Sequence, residues 1–357
     1  MDRHKKALEI LKQGTVIPAT PLALDKDRHL DEKGMRLLMN YYLACGVGGI
    51  ATAVHTTQFE IRDKGINLFE PVLRIVADAV DRFEQREHKV IVRVAGVCGP
   101  TEQAVSEAKL AKQYGYDAVL LSPGGLNRES EEYLIARTKA VSAVMPVIGF
   151  YLQTAVGGRA FTYHYWEEIC AIHNVVAIKC ASFQRYQTLD VVRAAALSPR
   201  ADEITLYTGN DDNIVIDLLT NYHIRNGETE IVKGFDGGLL GHWSVWTKKA
   251  VELFHVIKSA KEKADIPAAL LTRAAEVTDA NSAFFDTAHN FAGCIAGLHE
   301  ILHRQGLMQN IGCLNPKETL SPGQAAELDR VSAAYPHLSD DVFIRENIEK
   351  WRSDCEI

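Results

Sequence analysis

The sequence contains no apolar run near the roughly 18 residues that a membrane-spanning helix requires. No long apolar stretch follows Met1-Asp2-Arg3-His4-Lys5-Lys6, so neither a membrane span nor a signal peptide is expected. No CxxC pair occurs. The seven cysteines (Cys45, Cys98, Cys170, Cys180, Cys294, Cys313 and Cys355) are odd in number and scattered. Several sit in apolar surroundings such as Val97-Cys98 and Gly293-Cys294-Ile295, which speaks for reduced thiols and a cytoplasmic location over a disulfide framework. Cationic excess is also missing, because 39 Lys+Arg face 46 Asp+Glu for a net charge of −7, which argues against nucleic acid or an anionic membrane as the partner. There is no repeat at solenoid spacing and no low-complexity tract. What is present is a 357-residue chain, 47% hydrophobic and 24% charged, which can bury a large core.

Short apolar runs rich in β-branched residues alternate with longer helical patterns from residue 15 to about 262. The strand candidates are Thr15–Ala19, Gly48–Ala53, Lys89–Ala95, Asp117–Ser122, Pro146–Tyr151, Val175–Lys179, Glu203–Thr208 and Glu230–Phe235. Runs such as Ala118-Val119-Leu120-Leu121 read as strands buried on both faces of a parallel sheet. Segments of 3.6-residue period lie between them, for example residues 31–45 with Met35, Leu38, Met39, Tyr42 and Leu43 on one face. Eight strand-then-helix units predict an α/β fold, a (β/α)8 TIM barrel, over an open doubly wound sheet. Past residue 266 the strand signals stop, and residues 267–281, 283–306, 323–336 and 342–352 read as helices. The expected organisation is a barrel with a short leading helix over 1–265 and a C-terminal helical appendage over 266–357.

Chemistry in such a barrel sits where strands end and βα loops begin. The run Asn174-Val175-Val176-Ala177-Ile178-Lys179 carries a lysine to the end of an apolar strand. A poorly solvated lysine loses its proton more readily and can attack a carbonyl as a neutral amine, forming an imine that serves as an electron sink. The same position also suits a lysine that only caps the strand and reaches solvent or an acid. Tyr151 ends the neighbouring strand, placed either to shuttle a proton or to pack the rim. Thr56 and Thr57 offer hydroxyls and backbone N–H groups in a tight loop that can hold a carboxylate.

Together these residues resemble the dihydrodipicolinate synthase / N-acetylneuraminate lyase family of class I, Schiff-base-forming lyases. The resemblance runs from about Gly14 to residue 240. It includes Gly14-Thr15-Val16-Ile17-Pro18-Ala19-Thr20-Pro21, Gly46-Val47-Gly48-Gly49-Ile50, the Thr56-Thr57 pair with Glu60 beyond, Phe150-Tyr151, Ala177-Ile178-Lys179-Cys180-Ala181-Ser182 and Thr208-Gly209-Asn210-Asp211-Asp212. It implies that Lys179 forms the imine with pyruvate or another 2-oxo acid. It also implies that Tyr151 relays protons with the Thr56 hydroxyl in the path, and that the Thr56 and Thr57 amides hold the keto-acid carboxylate. Gly209 and Arg159 are further substrate-binding candidates. An aldehyde or sugar acid is the expected second substrate, no metal or organic cofactor is expected, and a homo-oligomer, dimer or tetramer, is implied.

The sequence departs from the family pattern in several loops. The threonine loop reads His55-Thr56-Thr57-Gln58-Phe59-Glu60, where the family has glycines around the pair. Ser122-Pro123-Gly124-Gly125-Leu126 lacks the tyrosine of the synthase branch, and Leu152–Arg159 replaces a shorter turn. The family's sugar-acid dehydratase branch and a keto-acid-binding barrel without turnover therefore stand beside the lyase. A formal zinc-peptidase pattern, His299-Glu300-Ile301-Leu302-His303, lies in the appendage, but Gln309 stands where the longer form has its third histidine, and an amphipathic helix carrying two histidines accounts for it equally simply.

Overall fold

A computed structural model describes residues 2–355 of the chain. Its strands are β1 (Val16–Pro18), β2 (Gly49–Thr52), β3 (Val92–Val97), β4 (Ala118–Leu121), β5 (Val147–Leu152), β6 (Val175–Ala181), β7 (Thr205–Thr208), β8 (Asn221–Asn226) and β9 (Thr229–Leu240). The helices are α1 (Arg3–Gln13), α2 (Glu32–Cys45), α3 (Phe69–Glu87), α4 (Thr101–Gln113), α5 (Glu131–Ser142), α6 (Tyr163–Ala171), α7 (Arg185–Leu197), α8 (Ile214–Leu219), α9 (Thr247–Lys263), α10 (Ala269–Phe284), α11 (Cys294–Arg304), α12 (Gln324–Ala334) and α13 (Asp341–Asp354). The strand order is β1-β9-β7-β6-β5-β4-β3-β2, with β8 paired only to β9. Eight parallel strands alternating with helices make this the expected (β/α)8 barrel with additional C-terminal helices.

By density of contacts the chain divides into two compact units. One comprises Met1–Thr15, Val92–Leu239 and Ile257–Ala274; the other comprises Val16–Ile91, Leu240–Val256 and Ala275–Ile357. In the first unit β3 to β7 pair in sequence, all parallel, and their residues are buried almost throughout, as near-continuous apolar runs require. In the second unit Ala19 forms a parallel bridge to Ala51 at the end of β1. Asp31 caps α2 by accepting the Gly34 N–H at 2.9 Å, and Tyr41 of that helix donates to the buried Asp340 carboxylate at 2.7 Å.

Two expectations need correcting. Glu230–Phe235 is not the eighth barrel strand: residues 229–234 pair antiparallel with β8 in an exposed hairpin, and the barrel strand is the later part of β9, from Phe235. Asp236-Gly237-Gly238 therefore lies within the strand. Gly237 is required there, since a Cβ would stand 2.6 Å from the Thr15 backbone. The expected helix over 283–306 is broken, with left-handed backbone at Asp286, Asn290 and Phe291 separating α10 from α11.

Candidate active site

Side chains alternate across a strand, so a parallel register decides which residues share a face. Phe150 pairs with Lys179, Tyr151 with Cys180, and Lys179 in turn with Tyr207. One face of β5 and β6 meets the surrounding helices. There a Cβ on Gly149 would touch Ile169 and Trp166 of α6 at 3.4 and 3.8 Å, and Cys180 Sγ contacts Thr188 Oγ1 of α7 at 3.8 Å. Lys179 and Phe150 are on the opposite, inner face.

Lys179 is buried, with Nζ 4.5 Å from the centre of the Phe150 ring. Gly209, the residue after β7, makes room for it, since a Cβ at that position would stand 2.5 Å from Lys179 Cε and 2.9 Å from Ala181 Cβ. Burial lowers the amine's pKa to about 8, a shift that the neighbouring Asp211 carboxylate partly opposes. Roughly a tenth of the amine is then neutral at pH 7 and about half at pH 8, far more than for an ordinary lysine, and the neutral form is the nucleophile. Tyr207, its register partner, donates its hydroxyl to the Leu11 carbonyl at 2.7 Å, and burial raises its pKa.

The loops after β6 and β7 are fixed to one another. Asn210 Oδ1 accepts the Phe183 N–H at 3.0 Å, while Asn210 Nδ2 and Thr208 Oγ1 donate to Asp217 Oδ2 at 2.8 and 2.7 Å. Of the expected residues, Lys179 and Gly209 come together here. Asp211 and Phe150 join them although they were not among the expected site residues. Asp211 stood in the quoted Thr208–Asp212 motif, and its acidity beside a glycine turn was the available signal. The signal for Phe150 was its place one residue before Tyr151.

Tyr151 packs against α6 and the segment before it. It stacks on Trp166 with ring centres 5.3 Å apart, meets Phe161 edge-on, and accepts the Phe161 N–H at 3.3 Å. Burial raises its pKa to about 12. A register shift between Val147 and Ile148 puts Phe150, not Tyr151, opposite the lysine, with Tyr151 one residue further along the strand. Arg159 lies on the loop after β5, its guanidinium on the Glu129 carbonyl and 5.4 Å from the Phe161 ring centre.

Thr56 and Thr57 belong to the second unit. The Thr56 hydroxyl donates to the carbonyls of Ala19 and Thr20 at 2.8 and 3.1 Å, and the Thr57 hydroxyl donates to Thr20 at 2.7 Å. Of the two amides expected to face a carboxylate, that of Thr57 donates to the Val54 carbonyl at 3.0 Å. The next residue, Gln58, accepts the Leu314 N–H at 2.6 Å, so the C-terminal segment anchors this loop. Nearby, burial and the Glu60 carboxylate raise the Glu318 pKa to about 7. In the zinc-peptidase pattern, Nδ1 of His299 and of His303 lies 3.3 and 3.0 Å from the carbonyls of Ile311 and Met308, and Glu300 pairs with Arg304. Among the described residues no group of three or more His, Cys, Asp or Glu is arranged to hold a metal, and no helix is long and apolar enough to cross a membrane.

Residues 12–221 match the family model described as the dihydrodipicolinate synthetase family. A 4-hydroxy-tetrahydrodipicolinate synthase of Clostridium novyi is 26% identical over 211 residues, 58% of this chain and 65% of its own length. An N-acetylneuraminate lyase of Citrobacter koseri is 24% identical over 225 residues, 62% of this chain and 70% of its own. The matches to the first three curated relatives span 58% to 65% of those proteins. In fold, the crystal structure of dihydrodipicolinate synthase from Oceanobacillus iheyensis superposes with a TM-score of 0.72 at 16% identity, covering 94% of this chain and all of that one.

Proposed function

The chain belongs to the dihydrodipicolinate synthetase family, and from that premise we propose that it is a class I lyase or aldolase that binds a 2-oxo acid as a Schiff base on Lys179. The observation that carries the reading is the buried Lys179 amine on the inner strand face, with its pKa lowered to about 8.

The neutral Nζ adds to the ketone carbon of pyruvate or a related 2-oxo acid. Proton transfer converts the carbinolamine hydroxyl to water, which leaves as the C=N bond forms. The protonated imine then accepts the electron pair released when the adjacent carbon loses a proton or its bond to the second substrate breaks. The reverse sequence forms that bond by addition to the carbonyl carbon of an aldehyde, whose oxygen takes up the electron pair and a proton. A sugar acid is a substrate of the cleavage or dehydration direction. Hydrolysis of the imine regenerates the lysine. The iminium is itself the electron sink, so the chemistry calls for no metal or organic cofactor. Asp211 is the charged neighbour that stabilises the ammonium and the iminium that replaces it. The Thr56–Thr57 loop and Arg159 are the proposed contacts for the carboxylate. Self-association as a dimer or tetramer is part of the proposal and is read by light scattering.

The test is borohydride reduction in the presence of pyruvate, followed by intact mass and peptide mapping. A stable adduct on Lys179 supports the reading, and product analysis then separates carbon–carbon cleavage from sugar-acid dehydration. An adduct only with a longer 2-oxo acid keeps the chemistry and moves the substrate. Absence of any adduct overturns it and leaves a barrel that binds a keto acid without turnover.

A further inference from the structure

We propose that Asp217, on the opposite side of β7 from the amine, is a positioning residue that holds Gly209 and Asp211 against Lys179. The proposal rests on the Schiff-base reading and adds to it a residue that touches no reacting atom.

Asp217 lies on the short apolar helix Ile214–Leu219 and is fully buried, a costly place for a carboxylate unless its oxygens are satisfied. They are. Oδ2 accepts from Thr208 Oγ1 at 2.7 Å and Asn210 Nδ2 at 2.8 Å, and Oδ1 accepts from Asn213 Nδ2 at 2.9 Å and Arg185 Nη1 at 2.5 Å. Thr208 and Asn210 flank Gly209 on either side, so one carboxylate oxygen grips both ends of the turn that accommodates the lysine stem. Asn210 also accepts the Phe183 N–H, and Arg185 is the first residue of α7, so the same carboxylate ties down the chain leaving β6 just past Lys179. Asp211 follows Asn210 directly, and its position is set by the same clamp. Such charge-assisted hydrogen bonds hold geometry more tightly than neutral ones.

Asn at position 217 keeps the volume but offers one acceptor oxygen, and turns an amide donor toward the amides of Asn210 or Asn213. The clamp then opens, water reaches the amine, and Asp211 shifts. The ionisable groups facing Asp217 are Arg185, Asp212, Tyr222 and Cys180, while Lys179 faces Asp211. The sign of the result is diagnostic. Loss of positioning has two opposed effects on the amine: hydration raises its pKa and displacement of Asp211 lowers it. Burial is the larger cause of the shift, so hydration wins and the pH midpoint of trapping rises. Mere removal of a distant negative charge would lower it.

The experiment measures borohydride trapping by pyruvate against pH in wild type, Asp217→Asn and Thr208→Val. Asp217→Asn is expected to slow trapping at pH 7 roughly tenfold, the scale of a lost charge-assisted hydrogen bond, with an upward shift of the midpoint. Thr208→Val, which removes one arm of the clamp without changing shape, shifts it less in the same direction and decides the matter if the first variant does not fold. An unchanged or lowered midpoint in the folded variants overturns the positioning role. Failure of wild type to form any adduct instead overturns the Schiff-base reading itself.

Discussion

The two faces of strands β5 to β7 are built from the same apolar chain, yet they differ in what their polar groups are doing. On the outer face every polar group named has found a partner. The Tyr151 hydroxyl meets the Phe161 N–H, Cys180 meets Thr188, and Thr208 meets Asp217. On the inner face Lys179 is buried against the Phe150 ring, with Asp211 opposing only part of the cost. A satisfied face contributes rigidity. An incompletely compensated buried cation gives up its proton readily, and that is reactivity. The difference between them is a single step of register, because moving a residue by one position along a strand transfers it to the other face.

The comparison can be broken or sharpened by substitution. The largest effect is expected for Gly209→Ala. Its methyl would stand 2.5 Å from Lys179 Cε, so the lysine stem must move, and trapping by pyruvate should fall by about 100-fold. Retained trapping would show that the stem does not depend on that turn. Next is Asp211→Asn. Removing the carboxylate that raises the amine's pKa should move the midpoint of the trapping profile down by about one unit, the opposite sign to the Asp217 variant.

Tyr151→Phe sharpens the comparison most sharply with the smaller effect. A tyrosine on the outer face loses one weak hydrogen bond, so trapping and turnover should stay within about threefold of wild type. A loss of 100-fold or more would support Tyr151 as the proton relay and contradict the face assignment. The smallest effect belongs to the second unit. Glu318 keeps its proton up to about pH 7 in the folded chain against 4.5 ordinarily. The folded state therefore holds more protons than the unfolded one between those values, and stability declines as pH rises through that window. Glu318→Gln should flatten the fall in Tm between pH 5 and 7 by about 2 °C. An unchanged slope would mean that the carboxylate is fully solvated.

Much of the barrel was legible because parallel strands buried on both faces leave apolar runs that few other structures produce. The lysine was legible for the same reason: Lys179 closes the run Val175–Ile178, and a charge at that place stands out. Gly209 could be read from its motif. The face of Tyr151 could not, because parity depends on the register shift at Val147/Ile148, which is set by packing between strands and leaves no local pattern. The eighth strand was misplaced because the hairpin arm and the barrel strand are one continuous extended segment, Thr229–Leu240, in which only the pairing partner changes. Asp217 went unnoticed although an acid inside Ile214-Val215-Ile216-Asp217-Leu218-Leu219 is a signal of a buried, fully hydrogen-bonded carboxylate. The threonine pair was visible in the sequence. The commitment of its hydroxyls to the Ala19 and Thr20 carbonyls was not, since those partners are more than 30 residues away.

The most direct test of the central claim is the pH profile of pyruvate trapping mapped to Lys179 between pH 6 and 10. The account predicts a single adduct on that lysine, forming with a midpoint near pH 8. An adduct on another lysine, or a midpoint near the 10.5 of an ordinary lysine, would contradict it.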